Sequence, residues 1–332
     1  MDLETVDCPI CETDDTVELG HVRDLNLLRP GEFRLVRCRR CGLAYVNPRP
    51  TLQAIGDYYT ADYWVDTQRC CDESALGSSL RETLRWLSRH RPGGRVLDVG
   101  CGAGHQAAAL TRHGFCVLGL DPHEGACRVA RELNGVDTVC ATLAEADLPS
   151  ESFDAVTFSS VLEHVHDPLQ DLRRVLELLK PGGLVAIRAP NIGSWQACLL
   201  GRWWFLEIPR HLYHFTPRTL HALLRKAGFV EVSSRAVPSW AFGSAVFEAS
   251  VLHALRARHL ARRGIEVTPT PGGTVGQALD GLVYGAVPSG AKRAFRWIVG
   301  RVVYLPLAIE NLVGRSVELL GMGWKPRPNG PS

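Results

Sequence analysis

The stretch "RVLDVGCGAGHQ", residues 95–106, decides the fold. Val96, Leu97 and Val99 form an apolar run of strand length, and Gly100, Gly102 and Gly104 follow at alternate positions before a helical pattern begins. A strand entering a glycine turn and then a helix brings bare backbone close to a ligand at the helix N-terminus. A dinucleotide turn of the G-x-G-x-x-G type needs its third glycine at position 105, where this chain has His105. Such a turn also receives an anionic pyrophosphate, and the carboxylate of Asp98 just before it would favour a cation instead. A nicotinamide-dependent oxidoreductase is disfavoured on both counts.

Outward from this turn, helical and strand periods alternate. "SALGSSLRETLRWLSRH" spaces Leu76, Leu80, Leu84 and Leu87 along one helical face. Strands are predicted at "RVLDVG", "CVLGLD", "DTVCA", "FDAVTFSS", "GLVAIRAP" and "GFVEVSSRAV". Helices are predicted over 104–113, "EGACRVARELN", "PLQDLRRVLELL" and "TPRTLHALLRKAG". Short apolar strands alternating with amphipathic helices predict an α/β, doubly wound sheet that binds ligand at its strands' carboxyl ends.

The spacing of Asp98, Gly100, Gly102 and Gly104 in "LDVGCGAG" resembles the first motif of class I S-adenosylmethionine-dependent methyltransferases. Asp121 in "VLGLDP" matches the second motif of that family, an acid ending strand two. "ATLAEADLP", "FSSVLEHVHDP" and "LKPGGLVAI" follow in the family's order, so the resemblance covers about residues 80–235. It implies S-adenosyl-L-methionine as cofactor and Asp98, Gly100, Cys101, Gly102, Gly104, Asp121, Pro122, Leu143, Ala144, Ser160 and Val161 as its site. In the family the first acid serves the methionine ammonium, the glycines admit the methionyl part, and the second acid takes the ribose hydroxyls. The loop of Leu143 and Ala144 covers the adenine, and Glu163 and His164 come near the cofactor. "YYTADYW" at 58–64 is similar to the family's aromatic lid, which adds Tyr59, Tyr63 and Trp64 as candidates. Taken singly, Asp121 and Glu163 could equally cap a helix or a turn.

The family's sheet ends in an antiparallel seventh strand. No partner follows "GFVEVSSRAV" directly, and the next strand pattern is "SVELLGMGWK" at 316–325. The expectation is therefore a Rossmann-like, seven-stranded sheet in which 316–325 lies beside strand five and pairs antiparallel with 229–237. The residues between form a helical insertion before the last strand.

"GRWWFLEIPRHLYHFTPRTLHALLRKAGF", 201–229, resembles a stretch of methyltransferases that also carry an N-terminal four-cysteine module, many acting on sugars, natural products or cell-envelope intermediates. Trp203, Trp204, Phe205, Tyr213 and Phe215 offer flat apolar walls for an acceptor. His211, His214 and His164 are the candidate catalytic residues, since an imidazole titrating near ~6.5 can take a proton from a hydroxyl. If Tyr213 and His214 alternate outward from His211, loss of His214 should cost much less than loss of His211. Core or capping roles for these histidines are the alternative, and positioning alone can drive methyl transfer.

At the front, "CPIC" and "CRRCG" set Cys8, Cys11, Cys38 and Cys41 as two C-x-x-C turns. Two such turns complete a tetrahedron of thiolates around Zn2+, which predicts a small N-terminal zinc ribbon with a closed, structural site. The chain has 11 cysteines, an odd number, and the other seven fit apolar or helical patterns as core residues. With no signal-peptide pattern and no run of ~18 apolar residues, a reducing cytoplasmic setting is expected.

Residues 1–199 carry 20 Lys and Arg against 28 Asp and Glu, whereas 200–332 carry 17 against 7. An acidic front disfavours nucleic acid as partner, and the N-P-P-Y type motif of base methylation is missing where the chain reads "SSVLEH". The basic aromatic stretch "AKRAFRWIVGRVVYLPLAIENLVG" fits a peripheral membrane contact, a lid or a homodimer face. Domain boundaries are expected at 1–48 (zinc ribbon), 49–92 (aromatic lid and linker helix), 93–238 (cofactor-binding core), 239–314 (helical insertion) and 315–332 (final strand and tail). The reading is methyl transfer, foremost to oxygen, on a small-molecule, sugar or lipid-linked acceptor. The alternatives are a zinc-ribbon ribosomal-RNA base methyltransferase and a non-catalytic cofactor-binding or scaffolding protein.

Overall fold

The computed structural model describes residues 2–24, 29, 31–59, 77–204, 206–239, 243, 246–247, 249–251, 254 and 314–328. The predicted insertion falls almost wholly outside them, as do Tyr63, Trp64 and Phe205 and the membrane or dimer roles considered for the basic stretch.

The first strands belong to an N-terminal module: β1 (Leu3–Glu4), β2 (Thr16–Arg23), β3 (Glu32–Cys38), β4 (Ala44–Val46) and β5 (Arg49–Pro50). The core follows as α1 (Gly77–His90), β6 (Arg95–Val99), α2 (His105–Arg112), β7 (Cys116–Asp121), α3 (Glu124–Asn134), β8 (Asp137–Cys140), β9 (Phe153–Ser159), α4 (Pro168–Leu178) and β10 (Leu179–Pro190). Then come α5 (Trp195–Leu200), β11 (Tyr213–His214), α6 (Pro217–Ala227), β12 (Val230–Val237) and β13 (Glu318–Trp324). Helix starts are written in the sequence: Asp167 accepts from the Gln170 amide at the head of α4, and Thr216 closes a capping box on α6.

Seven strands form one sheet in the order β12-β13-β10-β9-β6-β7-β8. Strands β6 to β10 pair in parallel, and β13 runs antiparallel to both β10 and β12. The late strand thus lies inside the sheet, as expected, with Leu184 opposite Trp324 on one side and Val237 opposite Glu318 on the other. Its residues from Glu318 to Gly323 are all buried, which is what a strand covered on both faces requires. One face packs α4 and α6 through Leu169, Leu172, Val175, Leu220, Leu223 and Leu224. The other packs α1, α2 and α3 through Leu80, Leu84, Leu87, Leu110 and Ala130.

A second sheet joins the two parts of the chain. Its order is β11-β4-β3-β2, so the module's strands are completed by a strand from the core. The Val46 amide also donates to the Leu212 carbonyl at 2.9 Å.

The expectation that the remaining cysteines are core residues holds for Cys101 and Cys127 but fails for Cys116, Cys140 and Cys198, which are exposed, while Cys70 and Cys71 lie outside the described residues. Cys116 opens β7 and Cys140 ends the edge strand β8, positions where the strand face has left the core. Among the described residues no helix is long and apolar enough to cross a membrane.

Candidate active site

The carboxyl ends of β6, β7 and β9 bring three loops together. In the first, Gly100, Gly102 and Gly104 all adopt positive φ, at 64°, 53° and 81°. Their roles differ. A Cβ on Gly100 would lie 2.4 Å from Val161, and one on Gly104 would lie 2.9 Å from Ala130 of α3. Only at Gly102 does a side chain meet nothing within 4 Å. The resemblance implies that all three admit the cofactor. In the structure Gly100 and Gly104 are glycine because protein packs on them, and Gly102 alone faces open space. Cys101 turns its side chain toward Gly119 of β7, so its backbone is the part the loop presents.

Two buried acids organise this turn. Asp98 accepts hydrogen bonds on one oxygen from Gln106 Nε2 and Thr157 Oγ1, both at 2.7 Å. Burial lifts its pKa to about 6, against the pull of those two donors. Asp121 accepts from the Gly102 amide on one oxygen and the His123 amide on the other, each at 2.9 Å. Burial raises its pKa as well, while the same amides lower it. Asp121 therefore shapes the glycine turn and the head of α3. Pro122, just after β7, and Ala144, after β8, are exposed, while Leu143 is buried.

The loop after β9 is strained at its first residue. Ser160 has φ 57°, and its amide donates to the Arg188 carbonyl at 2.9 Å. Val161 fills the space above Gly100. Glu163 then plunges into the interior, 1% exposed, and neither of its carboxyl oxygens has a hydrogen-bond partner among the described residues. Desolvation pushes its pKa up to about 8.

His211 meets this loop from the segment before β11. Donor atoms of Glu163, His164 and His211 lie within 4.8 Å of one another. The rings of His164 and His211 touch edge-on at 4.5 Å, and His214 stands 6.2 Å from His211. Tyr59, one of the three lid aromatics, contacts His164 Nδ1 through its hydroxyl at 3.0 Å. The Leu212 and Tyr213 amides donate to the Glu163 carbonyl, at 2.8 and 3.2 Å, which locks the two segments together.

Three expectations need correction here. His214 does not alternate outward: like His211 it is buried, and its Nε2 has no hydrogen-bond partner among the described residues. Tyr213 and Phe215 are not acceptor walls. Tyr213 takes a 2.7 Å hydrogen bond from Arg49 and packs on Tyr45, because its segment forms the seam with the module. Nor does any of the three candidate histidines titrate near 6.5. Burial holds His164 and His214 down at about 3 and His211 well below its ordinary value.

Sequence reasoning missed Gln106, Thr157, Glu207, Arg210 and Asp24. Gln106 could have been found, since it is the one amide in the first turn after the glycines. Asp24 and Arg210 are 186 positions apart, and no local signal pairs them.

A second cluster lies in the module, where Cys8, Cys11, Cys38 and Cys41 place their sulfurs within 4.8 Å of one another. Cys8 and Cys41 Sγ are 3.5 Å apart, and the Leu43 amide points at Cys41 Sγ at 3.5 Å. The hydrogen bond from Cys41 draws the Cys8 pKa down to about 5 and raises that of Cys41.

Comparison with known proteins agrees with this geometry. A family model described as "Methyltransferase domain" matches residues 72–234. The ubiquinone biosynthesis O-methyltransferase of Ruegeria pomeroyi is 38% identical over 172 residues, which cover 46% of this chain and 66% of the relative. The protein of the same name from Thiobacillus denitrificans is 35% identical over 161 residues, covering 44% of this chain and 69% of that one. The chain thus spans about two thirds of the length of these curated relatives. Among solved structures, a chain of the complex between the Haloferax volcanii Trm112 methyltransferase activator and a methyltransferase superposes with TM-score 0.50. It is 15% identical, with 81% of this chain and 97% of that chain covered, and is a likeness of fold. The chain belongs to the S-adenosylmethionine-dependent methyltransferases.

Proposed function

We propose that this protein transfers the methyl group of S-adenosylmethionine to a hydroxyl oxygen of a small-molecule acceptor. The observation that carries this reading is the meeting of two unlike surfaces at one end of the sheet. On one side are the open face of Gly102 and the buried acids Asp98 and Asp121, suited to a cationic, ribose-bearing cofactor. On the other are the unpaired Glu163 carboxyl and the neutral His211 and His214, suited to an acceptor's polar atoms. The curated relatives named ubiquinone biosynthesis O-methyltransferase support oxygen as the atom methylated.

In this reading Asp121 holds the ribose hydroxyls with the lone pairs its two amide contacts leave over, and Leu143 and Ala144 flank the adenine. Asp98, tied to Gln106 and Thr157, fixes the turn that receives the methionyl part. The bound cofactor supplies an electrophilic methyl on a sulfonium. Glu163, protonated near neutral pH, donates one hydrogen bond to the acceptor, and neutral His211 accepts the hydroxyl proton. Calorimetry tests the cofactor half. S-adenosylhomocysteine should bind, and Asp121→Ala should weaken it by roughly 1.5–3 kcal/mol, the range for hydrogen bonds to a charged group. Tight binding of a nicotinamide dinucleotide in its place would overturn the reading. Incubation with methyl-labelled cofactor and a panel of phenolic, sugar and polyprenyl-linked alcohols tests the acceptor half. Label recovered only on carbon or nitrogen would reject O-methylation.

We also propose that the four cysteines hold one structural Zn2+. With Zn–S bonds of ~2.3 Å, tetrahedral geometry separates the sulfurs by about 3.8 Å, close to the Cys8–Cys41 contact. Purified protein should contain about one zinc per chain, and Cys38→Ser should lose it. Absence of metal in fresh, untagged protein would reject the site.

A further inference from the structure

Strand β10 sends alternate residues to opposite faces of the sheet, and Leu184 and Ala186 lie in the cluster that packs on α1 and α2. The next residue on that face is Arg188, paired with Leu320 of β13. It follows directly on the segment "LKPGGLVAI" and is not among the residues that the family resemblance assigns to the cofactor. Arg188 Nε is buried and has no hydrogen-bond partner among the described residues. Glu318 Oε1 stands 3.6 Å from it, too far for a hydrogen bond, and is likewise buried without one. A buried cation and a buried anion thus face each other with hydrogen-bonding capacity left over, which is costly unless a further polar partner uses it.

Arg188 borders a cleft of about 230 Å³ between α1 and the sheet, where Leu80, Thr83, Gln106, Thr157 and Leu320 also contribute to the lining. Gln106 and Thr157 are the two side chains that hold Asp98, so the cleft adjoins the glycine turn. Burial raises the carboxyls of Asp98 and Glu163, and the charge of Arg188 pulls both back down, so its field reaches the loops after β6 and β9.

The mixture of signs selects among ligands. A simple anion drawn to Arg188 also meets Asp98 and Glu318, and a simple cation drawn to either acid also meets Arg188. A zwitterion answers both, its carboxylate taking the guanidinium's donors while its ammonium faces an acid. An α-amino acid head is a compact group of that kind, and the methionyl part of S-adenosylmethionine ends in one. Arginine suits the carboxylate because its charge is permanent and its paired donors match two oxygens. With Glu318 at the Nε edge, the two Nη groups remain for the ligand.

We propose that Arg188 binds the α-carboxylate of the cofactor's methionyl end, in the cleft between α1 and the sheet. The proposal deepens the cofactor half of the function proposed above and rests on it.

The test is calorimetry on the full chain with S-adenosylhomocysteine and with its decarboxylated analogue, which keeps the ammonium and lacks the carboxylate. The wild type should bind S-adenosylhomocysteine about 10- to 100-fold more tightly than the analogue, the range for hydrogen bonds to a charged group. In Arg188→Met the affinity for S-adenosylhomocysteine should fall to that of the analogue, while the analogue binds within about threefold of its wild-type affinity. A purely structural role for Arg188 would weaken both ligands alike, and that result overturns the proposal. A wild type that binds the two equally overturns it without any variant. Should Arg188→Met fail to fold, Arg188→Gln removes the charge and keeps a donor for Glu318, and an unchanged preference in that protein overturns the proposal equally. Failure of the cofactor reading would instead appear as no binding of either ligand to the wild type.

Discussion

A chain truncated after residue 312 is expected to be recovered as insoluble or unfolded protein. The missing segment contains β13, which separates β10 from β12 and pairs with both. Its loss strips ladder partners from both neighbours and removes Val317, Leu319, Leu320 and Met322, all buried. Each such side chain contributes about 1.5–3 kcal/mol on burial. Four of them rival the ~5–15 kcal/mol by which whole domains are stable. Glu318 also leaves, and with it the partner that stands 3.6 Å from Arg188 Nε. The Arg188 carbonyl anchors Ser160, so damage at β13 reaches the loop after β9. Solubility, far-UV circular dichroism and S-adenosylhomocysteine calorimetry on the truncated chain check this. A soluble fragment that binds S-adenosylhomocysteine with wild-type affinity would show that the sheet is complete without β13.

This placement was legible in the sequence because a strand buried on both faces leaves a continuous apolar signature. Residues 319–324 carry one, after a sixth strand with no partner nearby. The glycine turn was legible for a similar reason, since positive φ at Gly100, Gly102 and Gly104 restricts the residue type. Which glycine faces open space was not legible. That depends on Val161 and Ala130, which come from other loops and other layers. The acceptor side was less legible still. Alternation along 211–215 suggested one wet face, but the segment is covered on one side by the Glu163 loop and on the other by β4. Burial by a second sheet from the chain's own N-terminus is a tertiary fact, and it is also what displaced the histidine pKa values from 6.5.

The largest effect expected on chemistry is that of His211→Ala. Removing a general base typically costs 10²–10⁴-fold in rate, and turnover should fall by about that factor once an acceptor is in hand. Affinity for S-adenosylhomocysteine should stay nearly unchanged, because His211 packs against His164 and the Glu163 loop. His214→Ala should cost much less, as its ring lies 6.2 Å further along. The pH dependence follows from burial. An imidazole withdrawn from water resists protonation, so His211 is already in its base form through the neutral range. The wild-type rate should therefore not step upward between pH 6 and 7 but fall under more acid conditions as His211 takes a proton and above about pH 8 as Glu163 loses its own, and His211→Ala should erase the acid limb. Stability carries the same sign. His164, His211 and His214 bind protons more readily unfolded than folded, so the folded state loses ground as pH drops below the unfolded value near 6.5. Pulsed denaturant titrations at pH 7.5 and 5.5 separate that loss from catalysis, since only the catalytic limb should vanish in a mutant that remains folded. A His211→Ala enzyme with wild-type turnover at pH 7.5 would mean that methyl transfer here runs on positioning, with the imidazole serving the packing of the Glu163 loop.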